Sequence, residues 1–356
     1  MSTEQQKTSW TIRPYRAGDE RALTALFGRV FGRAISEEHY RWKLRQPPTS
    51  VENVWLAVDG GDAPIFHYAG IPTRYHLSGG EALAMVSVDT MTAPEFQRRG
   101  LLSEVGRAVY DTWRAAGVAF VLGLPNERWG SRAQALGWEP LFDLQWLACP
   151  LRPEAILARR LRLPLLARLT PIGVVWNVLW RLRLRREPAV RVRPVERAGA
   201  EFDQLWQRTG VGVAASVVRD SAWVNWRYID APAFDYHVLL AERDGQPLGY
   251  AAYRVEAHAT GTAGFIAELF APQVDDLARR TLIAETLDAL YGAGADNAVT
   301  LAVPGSPLER DLRSAGFWHS RGAFGVQIVP LAPELPLDVL RDPRNWNVAG
   351  GDFDVI

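Results

Sequence analysis

Residues 97–102, Gln-Arg-Arg-Gly-Leu-Leu, place two cationic side chains and a glycine at the start of a predicted helix. They follow an apolar run, 84–92, that predicts a buried strand, and they precede apolar residues at helical spacing. The first N–H groups of a helix have no partner inside it, and the helix dipole adds partial positive charge there. A glycine lets a ligand approach the backbone without meeting a Cβ atom. This strand, loop and helix predict a site for an anionic group such as a phosphate.

The bulk composition limits the classes of function. The chain has 356 residues, 48% of them hydrophobic, and a formal net charge of zero. This predicts about two globular domains and no general attraction for nucleic acid. The single cysteine, Cys149, cannot form an internal disulfide or a Cys-rich zinc site, and the six histidines do not cluster, so we predict no metal.

The amino-terminal segment has no apolar stretch typical of a signal peptide, so a cytoplasmic protein is expected. No apolar run reaches 18 residues, so stable membrane insertion is not expected. The sequence is silent on oligomeric state.

The chain contains an internal repeat at a shift of about 180 residues. Ile12-Arg13-Pro14 recurs as Val192-Arg193-Pro194, and Trp42-Lys43-Leu44 recurs as Trp226-Arg227-Tyr228. Two Asp-Gly hairpin patterns follow, with turns at 59–61 and 244–245. An ungapped match then relates 122–138 to 301–317, each an apolar strand ending at Pro followed by a helix ending at Gly.

The repeat predicts four segments: a first domain at 10–150, a linker at 151–190, a second domain at 191–330 and an extended tail at 331–356. The linker is rich in Arg and apolar residues. It could be an amphipathic helix on a membrane surface, a lid, or a linker helix packed across both domains. Pro164 and Pro171 interrupt any long regular helix and favour the linker.

The 97–102 segment resembles the acyl-CoA loop of the GNAT superfamily of acyltransferases, and Thr92-Ala93-Pro94-Glu95-Phe96 resembles its lead-in. The strand and helix from Gly123 to Trp138 resemble the family's fifth strand and the helix after it. The resemblance covers 10–150, and 191–330 follows the same layout more weakly. It implies an α/β (α+β) fold of two tandem GNAT-like domains, each a mixed, mostly antiparallel sheet flanked by helices.

The tandem arrangement is similar to the aminoglycoside-acetylating branch of the family, although no room remains after residue 331 for that branch's third domain. The resemblance implies transfer of an acetyl group from acetyl-CoA to a small amine or an amino sugar. A non-catalytic acyl-CoA-binding or scaffolding protein is the alternative. Aminoacyl transfer by a related two-domain family is a third hypothesis, and the intact 97–102 loop argues against it.

The resemblance also implies roles for individual residues. The diphosphate would lie against the N–H groups of 98–102 and the pantetheine arm along the strand edge at 91–92. Independently of the resemblance, tryptophan faces suit carbohydrate rings, so Trp129 is predicted to form a substrate wall unless it only packs in the core. Asp89 is the predicted base; a purely hydrogen-bonded carboxylate there is equally compatible, and Glu127, Glu139 or a water are alternatives. The predicted cofactor-binding residues are Met91, Thr92, Gln97, Arg98, Arg99, Gly100, Leu101, Leu102 and Asn126.

Several residues depart from the family's pattern. Leu102 stands where the loop usually has Gly or Ala, and Ala133 stands near the position of the usual general-acid tyrosine. In the second domain the corresponding loop, 268–276, has no glycine and has acids in place of the two arginines. The residue of the second domain that corresponds to Asn126 is Gly305. We therefore expect the second domain to have lost CoA binding.

Overall fold

The computed structural model describes residues 10–78, 80–124, 129, 131–162, 170–272 and 275–353. Within these ranges we find fourteen strands and eleven α-helices, joined by turns, short 3-10 segments and a π-helical segment at Asn225–Ile229. The strands are β1 (Thr11–Pro14), β2 (Val54–Val58), β3 (Pro64–Leu77), β4 (Gly80–Thr92), β5 (Val118–Gly123), β6 (Glu139–Pro150), β7 (Arg191–Val195), β8 (Ala215–Val217), β9 (Tyr236–Arg243), β10 (Gln246–His258), β11 (Gly261–Phe270), β12 (Asn297–Ala302), β13 (Trp318–Pro330) and β14 (Trp346–Asn347). The helices are α1 (Glu20–Phe31), α2 (Glu37–Arg45), α3 (Leu101–Ala115), α4 (Ser131–Ala135), α5 (Pro153–Arg160), α6 (Thr170–Arg181), α7 (Ala200–Thr209), α8 (Ser221–Val224), α9 (Asp276–Gly292), α10 (Pro307–Ser314) and α11 (Leu337–Leu340).

The chain divides into two compact units. The first unit comprises residues 1–75, 81–140 and 326–336, and the second comprises 76–80, 141–325 and 337–356. The linker predicted at 151–190 and most of the predicted tail therefore belong to the second unit. Each unit is a mostly antiparallel sheet flanked by helices, which confirms the predicted α/β (α+β) class.

The sheet of the first unit has the strand order β1-β2-β3-β4-β5, followed by the end of β13. The predicted hairpin at 59–61 joins β2 and β3 in antiparallel register, with Leu56 opposite His67. Asp59 shapes this turn because its carboxylate accepts hydrogen bonds from the N–H groups of Gly61 and Ala63. β4 and β5 run parallel, connected by α3.

Helix α3 covers this sheet with apolar residues at helical spacing. Val105, Val109 and Trp113 are fully buried in the core of the first unit. The helix is followed by Gly117, whose φ of 81° lies in the left-handed region that glycine adopts without strain. The predicted strand, loop and helix are therefore confirmed as secondary structure.

The sheet of the second unit has the order β6-β12-β11-β10-β9-β7. The second predicted hairpin joins β9 and β10, and β11 and β12 run parallel with α9 between them in the chain. From its first strand at β7 to β12, this sheet repeats the order of β1 to β5 in the first unit. No helix among the described ranges is both long enough and apolar enough to cross a lipid bilayer.

Each sheet includes a strand from the opposite half of the sequence. In the first unit, the end of β13 pairs antiparallel with β5, placing Gln327 opposite Gly123. In the second unit, β6 pairs antiparallel with β12, placing Gln145 opposite Ala302. The halves at 10–150 and 191–330 thus exchange their last strands, and the compact units differ from the sequence halves in this respect.

Candidate active site

The edge between β4 and β5 is the first feature of the site. The two strands pair from Leu83 opposite Val118 to Val86 opposite Leu122, and the register continues no further in the described residues. Three residues later, Asp89 has a φ of 48°, a left-handed conformation that is uncommon for a residue other than glycine. The last part of β4 therefore bends after its pairing with β5 ends, and its backbone can pair with an extended ligand.

A buried polar network holds this bend. The ring Nδ1 of His67 lies 2.8 Å from the carbonyl oxygen of Asp89, and the ring Nε2 lies 3.2 Å from the hydroxyl of Tyr40. The Nζ of Lys43 lies 2.7 Å from the carboxylate of Asp89. The side chains of Lys43 and Asp89 are only 4% and 8% exposed, so this ion pair is shielded from water.

The electrostatics of the network fix its protonation. Burial lowers the pKa of His67, which keeps the ring neutral; Nδ1 then donates to Asp89 and Nε2 accepts from Tyr40. Burial raises the pKa of Asp89, but the charge and hydrogen bond of Lys43 outweigh it, so the net pKa lies below the ordinary value. Asp89 is therefore an ionised carboxylate bound to a cation.

The loop after β4 is the second feature of the site. Pro94–Phe96 forms a short 3-10 turn, Arg98 has a φ of 63°, and Gly100 has a φ of 88° as the N-cap residue of α3. Gly100 has no side chain with which to cap the helix, and its carbonyl accepts the first helical bonds, from Ser103 and Glu104. The N–H groups before Ser103 thus precede the first complete turn, where an anion binds favourably.

The side chains around this helix start are arranged in two layers. Residues 97–100 are exposed, whereas Leu101 is buried in the core and anchors the helix. Arg99 stacks on the ring of Phe96, with 5.0 Å between its guanidinium carbon and the ring centroid. The loop therefore combines a fixed backbone with cationic side chains, which suits a diphosphate.

The other predicted residues lie at or near these features. Met91 is buried in the core, so only its backbone is available to a ligand at the strand edge, while Thr92 and Leu102 are partly buried. Trp129 is partly buried and contacts Trp138 edge to face, with 5.8 Å between ring centroids.

The alternatives for the base and acid have different placements. Asn126 and Glu127 lie outside the described residues. Glu139 is partly buried at the first position of β6, and Ala133 is buried in the core.

Reasoning from the sequence missed three residues of the network: Tyr40, Lys43 and His67. One signal was present. The chain has only two lysines, and Lys43 is one of them, whereas the other permanently charged basic side chains are arginines. It lies 46 residues from Asp89 in the sequence, so no local pattern relates the two.

Comparison with known proteins agrees with this geometry. Residues 11–141 match the family model of the acetyltransferase (GNAT) domain. Residues 11–141 are a GNAT domain. No curated protein sequence matches the chain.

The GNAT domain and the rest of the chain are together similar to several crystal structures. One is a GCN5-related N-acetyltransferase from Anabaena variabilis, 12% identical over 91% of this chain and 73% of that chain, with a TM-score of 0.66. A second is a probable N-acyltransferase from Enterococcus faecalis V583, 12% identical over 91% and 74%, with a TM-score of 0.64. A third is Eis1 from Mycobacterium abscessus, 15% identical over 91% and 74%, with a TM-score of 0.58. At this identity the likeness shows a shared fold.

The second unit has a helix start at the position that corresponds to the loop of the GNAT domain. Its helix α9 is capped by the carboxylate of Asp275, which accepts a hydrogen bond from the N–H of Ala278 at 2.9 Å. Asp276 adds a second negative charge in the first turn. A carboxylate of the protein thus already occupies the place at which an anionic ligand would bind.

The strand edge of the second unit is also filled by the protein. Beyond their pairing at Phe265 opposite Val299, β11 and β12 both contact the 3-10 turn Gly350–Asp352 of the tail. Gly351 packs so closely that a Cβ atom there would lie 2.0 Å from the hydroxyl oxygen of Tyr228. The tail therefore lies along the edge of β11 and β12 in the second unit. The corresponding edge of the GNAT domain is the one beyond the end of the pairing between β4 and β5.

A buried charge cluster holds the tail in place. The guanidinium of Arg219 is fully buried and donates to both carboxylate oxygens of Asp352, at 2.8 and 2.7 Å, and to Glu268 at 2.9 Å. Arg227, the counterpart of Lys43 in the repeat, donates to the carbonyl oxygens of Gly351 and Phe353. Two carboxylates share one principal cation here, and burial raises the pKa of Glu268 to about 7 despite Arg219.

Proposed function

We propose that this chain is an N-acetyltransferase that transfers an acetyl group from acetyl-CoA to an amine, with a small amine or an amino sugar as the acceptor. The observation that carries the proposal is the start of α3, where Gly100 leaves the helix without a side-chain cap directly after the exposed loop. The GNAT domain supports acyltransferase chemistry as the general class. The choice of a small amine or an amino sugar as the acceptor goes beyond that class and is part of the proposal.

The proposed binding mode follows from the two features of the site. The diphosphate of acetyl-CoA would accept hydrogen bonds from the backbone at 98–102, with Arg98 and Arg99 adding positive charge. The amide groups of its pantetheine arm would pair with the edge of β4 at Met91 and Thr92, beyond Asp89. Gln97 would hydrogen-bond at the entrance to this edge. These residues bind and orient the donor.

Acetyl-CoA supplies an activated thioester, and the protein's contribution is mainly positioning. The amine nitrogen attacks the thioester carbonyl, the carbon–sulfur bond breaks, the amine loses a proton and the thiolate sulfur gains one. Hydrogen bonds from the end of β4 would stabilise the negative charge on the carbonyl oxygen. Trp129 would form one wall for the acceptor.

The identity of the base remains a proposal with two forms. Asp89 is ionised, as a base must be, but its pKa lies below the ordinary value because Lys43 binds it, which weakens it as a proton acceptor. The geometry favours Asp89 as a positioning residue that fixes the bend of β4, with a water molecule accepting the proton. Transfer rates of Asp89 and Lys43 variants distinguish the two forms.

One feature favours a second candidate, a non-catalytic acyl-CoA-binding protein. Ala133 is buried near the position where many members of the family are expected to have a tyrosine that acts as the general acid. An alanine supplies no hydroxyl group for that role. Such a protein would bind the same ligand through the same loop. It would differ only in failing to transfer the acetyl group.

The test combines calorimetric titration with acetyl-CoA and a transfer assay over a broad panel of amines and amino sugars, read by release of free CoA thiol. Binding with transfer supports the proposed enzyme. Binding without transfer to any amine favours the non-catalytic candidate. No binding at millimolar acetyl-CoA contradicts both.

A further inference from the structure

Exposed apolar side chains are concentrated on one part of the second unit. Ten large apolar side chains are well exposed among the described residues, and seven of them lie between residues 157 and 182. Leu182 is 77% exposed and Val174 is 61% exposed. Scattered apolar residues on a surface are normal, but a contiguous patch indicates a binding surface. The seven residues, here called the hairpin face, are Leu157, Leu161, Val174, Val175, Val178, Leu179 and Leu182.

The hairpin face belongs to two helices that pack closely. α5 and α6 contact each other, and the carboxylate of Glu154 on α5 lies close to Gly173 on α6, where a Cβ atom would be 2.6 Å from its carboxyl carbon. Both helices are part of the second unit. The hairpin face is therefore formed by a packed pair of helices.

Helix α6 has apolar residues on two sides. Trp180 is buried and donates from its ring N–H to the carbonyl of Ala315, and Trp176 donates in the same way to Pro150. Val174 and Val178 lie one turn apart on another side of the helix and remain exposed. A helix that is apolar all round is normally buried on all sides. The tryptophan side of α6 is satisfied by the second unit, and the aliphatic side lacks a partner in the described residues.

The charge around the hairpin face is positive. Residues 151–186 contain nine arginines and one acidic residue, Glu154. Some of these arginines bind the second unit; Arg159, for example, pairs with Asp296. Four others are exposed and form no ion pair with the described residues: Arg160, Arg162, Arg183 and Arg185.

We infer that the hairpin face, with the four arginines that form no ion pair with the described residues, binds the surface of an anionic lipid bilayer. The apolar side chains would enter the boundary between headgroups and acyl chains, and the arginines would bind lipid phosphates beside them. The helices would lie on the membrane without crossing it, in keeping with their length. The inference is independent of the proposed acetyl transfer.

The composition of the face favours a lipid partner over a second copy of the chain. Protein interfaces are enriched in aromatic residues at their centre, whereas all seven side chains of the hairpin face are Val or Leu. The charged residues of 151–186 are positive except for Glu154, so two copies meeting through this face would bring their arginines together and repel each other. An anionic surface offers both the apolar depth and the opposite charge.

The test is co-sedimentation of the full chain with vesicles of phosphatidylcholine alone and of phosphatidylcholine mixed with phosphatidylglycerol. We expect binding to the mixed vesicles only, weakened by added salt. The double variant Arg183→Glu/Arg185→Glu should bind about tenfold more weakly or worse. Leu182→Asp should also weaken binding about tenfold, because it places a charge in the apolar boundary.

Leu277→Asp is the matched control, since Leu277 is an exposed leucine on a helix of the same unit but outside the hairpin face. It should leave vesicle binding unchanged. All the substitutions are at exposed positions, and unchanged thermal unfolding confirms that each variant folds. Failure to bind phosphatidylglycerol vesicles, or equal binding by the Leu182→Asp variant, would overturn the inference. Self-association that Leu182→Asp abolishes, in a chain that does not bind vesicles, would assign the face to a second copy instead.

Discussion

The two units treat the same structural position in opposite ways. In the first unit the helix after the fourth strand starts at Gly100 without a side-chain cap; in the second, Asp275 caps the corresponding helix with its own carboxylate. In the first unit β4 bends beyond Val86, and the ion pair of Lys43 with Asp89 holds this bend. In the second unit the tail covers the corresponding strand edge. If the first unit binds acetyl-CoA as proposed, the comparison teaches that a chain can fill a ligand site with charges and contacts of its own.

The two buried charge clusters differ in balance as well. In the first unit one lysine binds one carboxylate, and the pKa of Asp89 is lowered. In the second unit Arg219 faces both Glu268 and Asp352, and both of these carboxylates have raised pKa values because burial disfavours their charge. In the first cluster the charges of the lysine and the carboxylate cancel. In the second cluster two carboxylates face one principal cation, Arg219, which cannot neutralise both.

The largest effect is expected from breaking the complete pair. Lys43→Met leaves the carboxylate of Asp89 buried without its cation, which should cost about 3–5 kcal/mol of unfolding free energy. Asp89→Asn should destabilise the protein by a similar amount, because it removes the carboxylate that neutralises the buried ammonium group of Lys43. The double variant Lys43→Met/Asp89→Asn removes both charges and should recover most of the loss. Denaturant unfolding of the four proteins measures this.

The same four proteins distinguish the two roles of Asp89. If Asp89 is the base, the double variant stays inactive in acetyl transfer although its stability returns. If Asp89 is a positioning residue, transfer returns together with stability. Arg219→Met in the second unit is the counterpart: it should destabilise the chain while leaving the acetyl-CoA affinity of the folded protein unchanged.

The next effect concerns the helix start of the first unit. Gly100→Glu should weaken acetyl-CoA binding by about a hundredfold, or about 3 kcal/mol, since it adds negative charge where the diphosphate is proposed to bind. Gly117→Glu is the matched control. Gly117 is an exposed glycine with a similar φ of 81° at the other end of the same helix, so it reproduces the backbone strain without the site. Equal affinity of the two variants in calorimetry would remove the loop from the site.

A smaller effect comes from the excess acid of the second unit. The pKa of Glu268 is raised from an ordinary 4.5 to about 7, so this group favours folding below pH 4.5 and loses that contribution as the pH rises through about 7. Its Oε1 atom is buried with no hydrogen-bond partner in the described part of the chain. Such a position costs less free energy for a protonated carboxyl group than for a charged carboxylate. Between pH 5 and 8 the wild type should therefore lose about 2 kcal/mol relative to Glu268→Gln.

Thermal unfolding of both proteins across this pH range provides the measurement. Parallel pH profiles would show that Glu268 stays ionised throughout. Asp352→Asn serves as a second variant, because removing its charge should let Glu268 ionise beside Arg219 at lower pH and flatten the profile.

Whether a feature could be predicted from the sequence depends on how far apart in the chain the residues that form it lie. The hairpin at 59–61 and the strand, loop and helix through Gly100 were predictable because turn residues and apolar spacing act within a few neighbouring positions. The ion pair of Lys43 with Asp89 joins residues 46 apart, and that of Arg219 with Asp352 joins residues 133 apart. Neither partner has a local signal that points to the other.

The strand exchange was missed for a related reason. Residues 318–330 have the pattern of a strand, but nothing in that pattern states that its end pairs with Gly123 of the first unit. The repeat indicated two similar halves, and the simplest interpretation gave each half its own last strand. Pairing between halves is decided by which edges remain available when the chain folds, a property of the whole molecule.

The smallest effect tests whether capping alone closed the second site. Asp275→Ala removes the side-chain cap of α9 and should cost about 1 kcal/mol in thermal or denaturant unfolding. It is best made in the Gly100→Glu background and compared with Gly100→Glu alone, because any acetyl-CoA binding gained over the single variant must come from the second unit. We expect no gain, because the tail still covers the edge of β11 and β12 and Asp276 keeps the first turn negative. Stronger binding by the combined variant than by Gly100→Glu alone would show instead that one carboxylate had been enough to exclude the ligand, and that the tail plays no part in the difference between the two units.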